Sequence, residues 1–444
     1  MAAKSRKKMT LSIITEDENL PWLKYLVNEF CRIEKAKFRI NVQSIFSNFE
    51  KDPLIIKYLN KKDSIVFQCD KTKSVFNSHD PMIEWLNLLV LPHSLSKSNE
   101  IPFDIFWNAF YLLSRKHEFD LSCNGKNIRS YSFNCSIPLN YKWDIPYVNL
   151  YFKYLKEFIK KRFPFLEFER DTKSEITFSH DLDYLEKTLP LRIKQSVFNG
   201  LNLIKKPSLN QLRHSLKFLT TKSEYWNFDY WQKLENTYSI KSVFYVYSKI
   251  KQTPFTYLMD PSYNISKNRR LQEKLKSLYA EGWEIGLHGS FQSYKNESLL
   301  KNEKNQLEEA LGISISKCRQ HWLCYEESIT PSIHSNLFKE DATIGWNNQM
   351  GFRAGVASPY RPYNHNLKKP FAHKILPQAI MDSHIYDYSS GNESDTLNEA
   401  LKIMENCKRL QNLNFGVSWH PRTSHPEYGW ESGYERLIKQ YGLS

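Results

Sequence analysis

Glycine, proline and cysteine are all scarce in this chain of 444 residues, at 14, 19 and seven. So little glycine and proline excludes collagen-like and low-complexity material. The cysteines (Cys31, Cys69, Cys123, Cys135, Cys318, Cys324 and Cys407) are odd in number, scattered and without a CxxC pair. That is the pattern of reduced thiols, not of a disulfide framework. Long apolar runs are missing too. The best candidates, such as 85–91 (WLNLLVL), fall far short of the ~20 residues a membrane helix needs. No apolar stretch follows the basic start MAAKSRKK, so no signal peptide is expected and the cytoplasm is the default location. Acidic residues are outnumbered, 48 Asp and Glu against 62 Lys and Arg, for a net charge of +14. The excess is densest at 4–8, 156–162 and 194–222. No helix-turn-helix, zinc-finger or RNA-binding signature accompanies it, which favours a basic solvated surface over a specific nucleic-acid partner. An anionic polysaccharide or a lipid-linked sugar would also suit such a surface.

What is present is ample for folding. Hydrophobic residues make up 41% and aromatics 14%, enough for large cores, over a length that predicts two domains. No internal repeat of about 20 to 50 residues is visible, which removes solenoids and propellers. A basic tail spans 1–8, and a smaller mixed α+β domain is expected over 9–165. Within it, 64–69 (SIVFQC) reads as a strand, while 103–115 (FDIFWNAFYLLSR) and 147–163 (YVNLYFKYLKEFIKKRF) carry apolar residues at helical spacing. Pro164 marks the boundary. From 170 to 444 strands alternate with helices. The segments 175–179 (EITFS), 242–248 (SVFYVYS) and 283–288 (WEIGLH) read as strands, and 226–236 and 268–280 as helices. This is the rhythm of a parallel α/β architecture, here a distorted (β/α) barrel. A basic insertion near 190–223 is expected to lie over the barrel mouth.

Several polar clusters fall at the C-terminal ends of these strands, the edge where barrels of parallel strands gather catalytic groups. Asp181 and Asp183 in HDLDY are two apart, so on extended backbone they project from one side. Two carboxylates so close ionise together only with a cation or a base in the site, and a divalent metal on one would leave the other free to act as a base. The competing reading is a turn in which they cap backbone amides. His288 directly follows an apolar strand and precedes Gly289 and Ser290, a good place for an imidazole ligand. A lone histidine there is otherwise structural. His180, adjacent to the pair, should point to the opposite face and serve the core.

The order HDLDY, EIGLHGS, RQHW, GFRAG and SWHP resembles the polysaccharide deacetylase superfamily (carbohydrate esterase family four). It is similar in particular to a bacterial branch with an extra N-terminal domain, of which LLSR at 112–115 is a recurrent feature. The resemblance implies a metal-dependent hydrolase that removes an acyl (acetyl) group from an amino sugar or polysaccharide precursor, in bacterial surface-polysaccharide biosynthesis. It implies a divalent ion, zinc first. It also assigns roles: Asp181 as the base, Asp183 and His288 as metal ligands, Arg319 as the group that orients the base, and His420 as the acid for the leaving atom. The family's second metal-binding histidine would fall at position 292, which is Gln292 here. Three accounts are open. His321 supplies the third ligand from another strand, Gln292 binds weakly with water, or the metal has been lost. The first is preferred; the last would make the chain a catalytically degenerate carbohydrate-binding or scaffold protein. Asp341 is carried as a support for His420. Ser290, Gln292, Trp322, Arg353 and Trp419 are carried as substrate-binding residues, with Trp346 a further ring and Asp382 a further polar residue for the cleft.

Overall fold

The computed structural model describes residues 9–44, 55–61, 64–67, 105–126, 130–135, 142–205, 212, 216, 218–248, 253–261, 263–389 and 392–442. The basic tail, the run at 85–91 and parts of the insertion therefore lie outside the described residues.

The N-terminal part holds β1 (Thr10–Thr15), β2 (Arg39–Ser44), β3 (Ile55–Lys61) and β4 (Ser64–Phe67), in the order β2-β1-β3-β4. The first three are mutually parallel and β4 closes antiparallel on β3. Helices Leu20–Ile33, Ile105–Leu113 and Tyr147–Arg162 pack here. The last ends before Pro164, as the apolar spacing predicts, with Lys160, Lys161 and Arg162 in its final turn, where cations complement the helix dipole.

The larger part holds β5 (Glu175–Leu182), β6 (Val243–Tyr247), β7 (Glu284–Gly289), β8 (Lys317–Gln320), β9 (Glu340–Asp341), the small hairpin β10 (Tyr363–Asn364) and β11 (Lys369–Pro370), then β12 (Lys374–Ile375), β13 (Gln378–Met381) and β14 (Asn414–Ser418). Eight of these form one sheet in the order β12-β9-β8-β7-β6-β5-β14-β13. Every pairing in it is parallel. Its two edge strands, β12 and β13, are separated by only two residues of chain. A flat eight-stranded sheet would hold its edges tens of ångströms apart at ~4.8 Å per strand, so this sheet must curl until they meet. The seam is stitched by Leu376 N–H to the Asp341 carbonyl and Gln378 N–H to the Ile344 carbonyl, at 2.9 and 2.8 Å. The result is the distorted (β/α) barrel.

Strand alternation sorts side chains to its two faces. Ile176, Phe178 and Leu182 of β5, Phe244 and Val246 of β6, and Ile285 and Leu287 of β7 face outward into the helical layer. Val243, Tyr245, Ala342 and Leu376 form a small cluster of their own inside. Gly286 pairs with Tyr245 across the sheet, and a Cβ there would meet the Tyr245 ring at 2.6 Å. The glycine is what lets this large ring fill the barrel beneath the site. His180 points outward, its Nε2 2.7 Å from Glu235 and its Nδ1 2.8 Å from the Trp419 carbonyl.

The two parts share a core. Tyr325, Ile344, Val356, Tyr360 and Tyr363 pack with the N-terminal helices. Two buried ion pairs cross as well: Arg115 with Glu327, and Arg353 with Glu118 through two bonds of 2.9 and 2.8 Å.

Candidate active site

Parallel strands deliver their last residues to one rim of the barrel. Asp181 is the last but one residue of β5, and the N–H of Asp183 just beyond the strand returns to the Asp181 carbonyl at 2.9 Å. His288 lies in β7 and Arg319 in β8, with His321 just beyond it. Asp382 follows β13, and His420 follows β14. Asp181, Asp183, His288, His321 and His420 border a cavity of about 730 Å³ whose walls also include Tyr184, Gln195, Trp322, Asn347, Asp387 and Arg422, while Arg319 and Asp382 are fully buried behind them. A second, open groove of about 1000 Å³, lined by Trp226, Tyr263, Asn268 and Arg270, shares Asp183 and Tyr184 with it.

Asp183, His288 and His321 converge, with one ligand atom from each lying within 4.8 Å of the others. The Nε2 atoms of His288 and His321 stand 3.2 and 3.7 Å from Asp183 Oδ1, a buried oxygen without a hydrogen-bond partner. The far nitrogen of each ring is tied down. His288 Nδ1 lies 3.0 Å from the Arg319 carbonyl, which can only accept, so Nδ1 carries the proton and Nε2 presents its lone pair. His321 Nδ1 is 3.0 Å from Asp260 Oδ1, which also accepts from the Phe291 N–H at 2.8 Å. A carboxylate behind a histidine in this way fixes the tautomer that binds metals. One carboxylate and two imidazoles, each with a free atom aimed at one point, fit a divalent cation of the zinc class.

His321 reaches the site through a strained turn. Trp322 and Leu323 both adopt positive φ, 59° and 48°, a conformation that costs an ordinary side chain of order 1–3 kcal/mol. The turn is held where Ser130 Oγ and Asn347 Nδ2 donate to the Trp322 carbonyl at 2.6 and 2.7 Å, and where Trp322 Nε1 donates to the Met259 carbonyl at 3.2 Å. Ser130 belongs to the N-terminal part, which thereby braces the site.

Around the triad the charges are arranged in pairs. Arg319 is fully buried and stacks 4.3 Å over Tyr245. It donates to Asp181 Oδ1 at 2.7 Å, Ser418 Oγ at 2.9 Å, Gln378 Oε1 at 2.8 Å and the Ala342 carbonyl at 3.1 Å. Burial pushes the Asp181 carboxyl upward, but Arg319 first, then His288 and His420, outweigh it and hold the group below its ordinary range. Burial likewise opposes ionisation of Asp183, and His321, His288, His420 and Arg422 overcome it, leaving Asp183 well below that range. His420 Nδ1 lies 2.7 Å from Asp382 Oδ1, and its own N–H donates to Asp382 Oδ2 at 2.9 Å. Burial works against a proton on this imidazole, yet Asp382 outweighs it and holds the His420 pKa above 6.5. His420 Nε2 faces the cavity, 3.5 Å from Asp183 Oδ2.

The structure brings together Asp181, Asp183, His288, Arg319, His321 and His420, and places Trp322 on the cavity wall. Other expected residues lie elsewhere. Asp341 does not meet His420; it bonds His334 Nδ1 at 2.8 Å and Thr343, because β9 turns its carboxylate outward. Asp382 stands behind His420 instead. Arg353 is spent on Glu118, and Ser290 is buried with its N–H on Glu303 at 3.1 Å. Gln292 is exposed in the loop after β7, outside the cavity wall. Trp419 and Trp346 are buried in the packing. Three residues were not singled out from sequence for the roles their positions give them: Asp260, Asp387 and Arg422. The only sequence signal for Arg422 is its nearness to His420. Its Nη1 donates to Asp183 Oδ2 at 3.0 Å. Asp387 is half-buried in the cavity wall, and desolvation of its carboxyl pushes it up to about 6.

The profile of a family of unknown function (DUF7033) matches residues 11–164. No curated protein matches. Among solved structures, the chain is similar to a Mycobacterium smegmatis protein assigned provisionally as a polysaccharide deacetylase, with 13% identity, 62% of this chain and 86% of that one covered, and a TM-score of 0.38. It is also similar to a polysaccharide deacetylase of Bacillus cereus, with 10% identity, 61% and 87% covered, and a TM-score of 0.28. A third is a CE4 family pseudoenzyme of Bacillus anthracis, with 9% identity, 61% and 63% covered, and a TM-score of 0.27.

Proposed function

We propose that this protein is a metal-dependent hydrolase that removes an acyl group, acetyl first, from an amino sugar or a polysaccharide precursor. The observation that carries the reading is the pairing of an Asp–His–His triad, its Nε2 atoms free, with a base and an acid on either side of it. A divalent cation held by Asp183, His288 and His321 would supply Lewis-acid polarisation of the acyl carbonyl. The rest falls to side chains. Asp181, kept ionised and oriented by Arg319, takes the proton from the attacking water. Asp382 holds His420 with Nδ1 protonated and stabilises its charge, so that Nε2 can give a proton to the departing sugar nitrogen or oxygen. Arg422 and the walls of the cavity are placed to keep the acyl group oriented and water restricted. The adjoining groove, with Trp226 and Tyr263 in its lining, favours a substrate longer than one sugar, since sugar faces stack on aromatic rings.

The motif order carries the choice of acyl-sugar chemistry, and the site geometry carries the metal and the acid–base pair. The second reading, a degenerate carbohydrate-binding protein, rested on Gln292 as a poor ligand. With His321 converging on Asp183 a third strong donor is at hand, which favours the enzyme. The test is metal analysis of the purified full chain together with acetate release from N-acetylated oligosaccharides. One equivalent of zinc, or of a comparable ion, and metal-dependent release are expected. Absence of bound metal after loading, with no acetate from any acylated glycan, would overturn the proposal.

A further inference from the structure

The N-terminal part does more than brace the turn at Trp322. Where it meets the barrel a groove of about 1460 Å³ opens, which the proposed chemistry does not use. Trp143 of the N-terminal part lines it, and the barrel supplies Asn348, Gln349 and Tyr388. The groove adjoins the catalytic cavity. Tyr388 lines both, and Asn347 and Ser383 of the cavity wall directly precede Asn348 and His384 of the groove wall.

The strand order sets this groove across the rim from the one lined by Trp226 and Tyr263. That one is built from chain following β5 and β6, in the middle of the sheet. This one is built on the barrel side from chain following β9 and β13, near the two edges that meet at the seam. On a closed ring of strands those positions face one another. A cavity with a groove on either side suits a chain that passes through, its reactive unit in the middle.

A loop of the N-terminal part is fixed beside the groove. The Ser132 N–H donates to Asn348 Oδ1 at 2.9 Å, and Asn348 Nδ2 donates to Ser132 Oγ at 2.8 Å. This loop carries a line of rings outward from the cavity wall. Tyr131 lies 6.5 Å from Tyr388, and Phe133 lies 5.5 Å from Tyr131. Phe133 is 74% exposed, more than any other large hydrophobic side chain among the described residues. An open phenyl on a pinned loop forgoes the burial that would stabilise it, and it offers a flat apolar face to a ligand.

The charges beside it are balanced. Lys142 and Lys402 stand with Asp144, Asp395 and Glu399 in the groove lining. Such a mixture gives a polyanion no net attraction, whereas the hydroxyls and amides of a neutral glycan meet both donors and acceptors. Gln349 Nε2 is buried and has no hydrogen-bond partner, which leaves it a donor to spare.

We infer that this groove, with Tyr131 and Phe133 at its margin, is a subsite by which the N-terminal part binds neutral sugars flanking the reactive unit of an N-acetylated chain. The enzyme then acts on internal units of a glycan. The inference rests on the reading of the cavity as an acyl-sugar site, but binding tests it apart from turnover.

The full chain, with a chelator present to prevent release of acetyl groups, is titrated calorimetrically with disaccharides and hexasaccharides from N-acetylated glycans, in a neutral and a uronate-bearing series. The best neutral hexasaccharide should bind at least ~10-fold tighter than its disaccharide, as further contacts form. Phe133→Ala should cost the hexasaccharide ~5–10-fold in affinity, about the worth of one covered ring face. Gln349→Ala should cost it ~2–10-fold, the worth of a hydrogen bond. The disaccharide should lose less than about twofold in either variant, as at other positions away from its contacts. Circular dichroism and thermal unfolding of each variant keep a folding defect separate. Failure of every neutral glycan to bind, affinity independent of length, preference for the uronate series, or equal losses for both lengths would overturn the inference. So would a hexasaccharide affinity unchanged in both variants, even if acetate release upheld the hydrolase. Length-dependent binding lost in the variants, without acetate release by the metal-loaded chain, would uphold the subsite and sink the hydrolase reading.

Discussion

Two clusters on the same barrel have nearly the same inventory of donors, and they differ in whether those donors are already bonded. The rim cluster is Asp183, His288 and His321; the second is Cys318, His334 and Asp341, on the outer face under helix Thr330–Leu337. Both are buried and both are compact enough for a cation. In the second, His334 Nδ1 is 2.8 Å from Asp341 Oδ2, its Nε2 is 3.0 Å from Gln320 Nε2, and Asp341 Oδ1 accepts from the Thr343 N–H at 2.8 Å. Every strong ligand atom has a partner, and none of the three residues lines the cavity of the rim cluster. In the rim cluster Asp183 Oδ1 has none, and both Nε2 atoms look into the cavity. Spacing and composition therefore do not tell a ligand set from a satisfied core network. The hydrogen bonds on the far side of each ring do.

The contrast is broken most severely by Asp183→Asn or His288→Ala. Either should abolish stoichiometric metal and lower turnover by at least ~10³-fold, since the whole Lewis-acid contribution goes; full metal by mass spectrometry in either variant would remove Asp183 or His288 from the ligand set. Asp181→Asn should keep the metal and lose ~10²–10⁴ in kcat, the usual worth of a positioned base. Asp260→Asn, which touches only the back of His321, should weaken metal affinity by ~10–100-fold, read by chelator competition.

The acid partner gives a pH signature. The His420 pKa is raised by Asp382, so the proton is retained to higher pH and the alkaline limb of kcat should lie above the ordinary imidazole range. Asp382→Asn removes that support and should move the limb to lower pH. An unmoved limb would separate His420 from Asp382 functionally.

The outer cluster should respond in stability alone. Asp341→Asn should leave metal content unchanged and destabilise the fold by about 3 kcal/mol, as expected when one partner of a buried charged pair is removed. Asp341 is held down to about 2, with His334 chief among the groups that overcome the upward push of burial. A depressed carboxyl stabilises the fold above its unfolded pKa near 3.8 and loses that contribution as pH falls through about 2. The variant should therefore lose much of the wild type's steepness of unfolding between those values. Gln292→Ala, an exposed change, is the smallest: activity and metal content should stay within about twofold, as for surface substitutions generally.

How much was legible beforehand follows from how far each contact travels along the chain. Asp181 and Asp183 could be paired from sequence because two residues of extended backbone put them on one side. His288 and His420 could be placed because they sit at the C-terminal ends of apolar strands, His288 within the last residues of β7 and His420 just beyond β14. His321 was preferred as the third ligand over Gln292, but spacing alone could not choose between them. The choice is made by the positive-φ turn at Trp322 and Leu323 and its braces Ser130 and Asn347, the former some 190 residues away in the chain. The family resemblance points to Asp341 as the support for His420, whereas the structure puts Asp382 there. Pairing of β13 with β14 carries Asp382 to the rim beside His420, while β9 turns Asp341 to the outer face.

By itself, then, the sequence determined the strand periodicity, the barrel that follows from it and the rim residues carried at strand ends, because these are local consequences of backbone geometry and apolar spacing. The tertiary structure alone decided which histidine faces Asp183, which carboxylate stands behind each imidazole and that Arg353 belongs to Glu118, because these depend on which elements, distant along the chain, the packing makes neighbours.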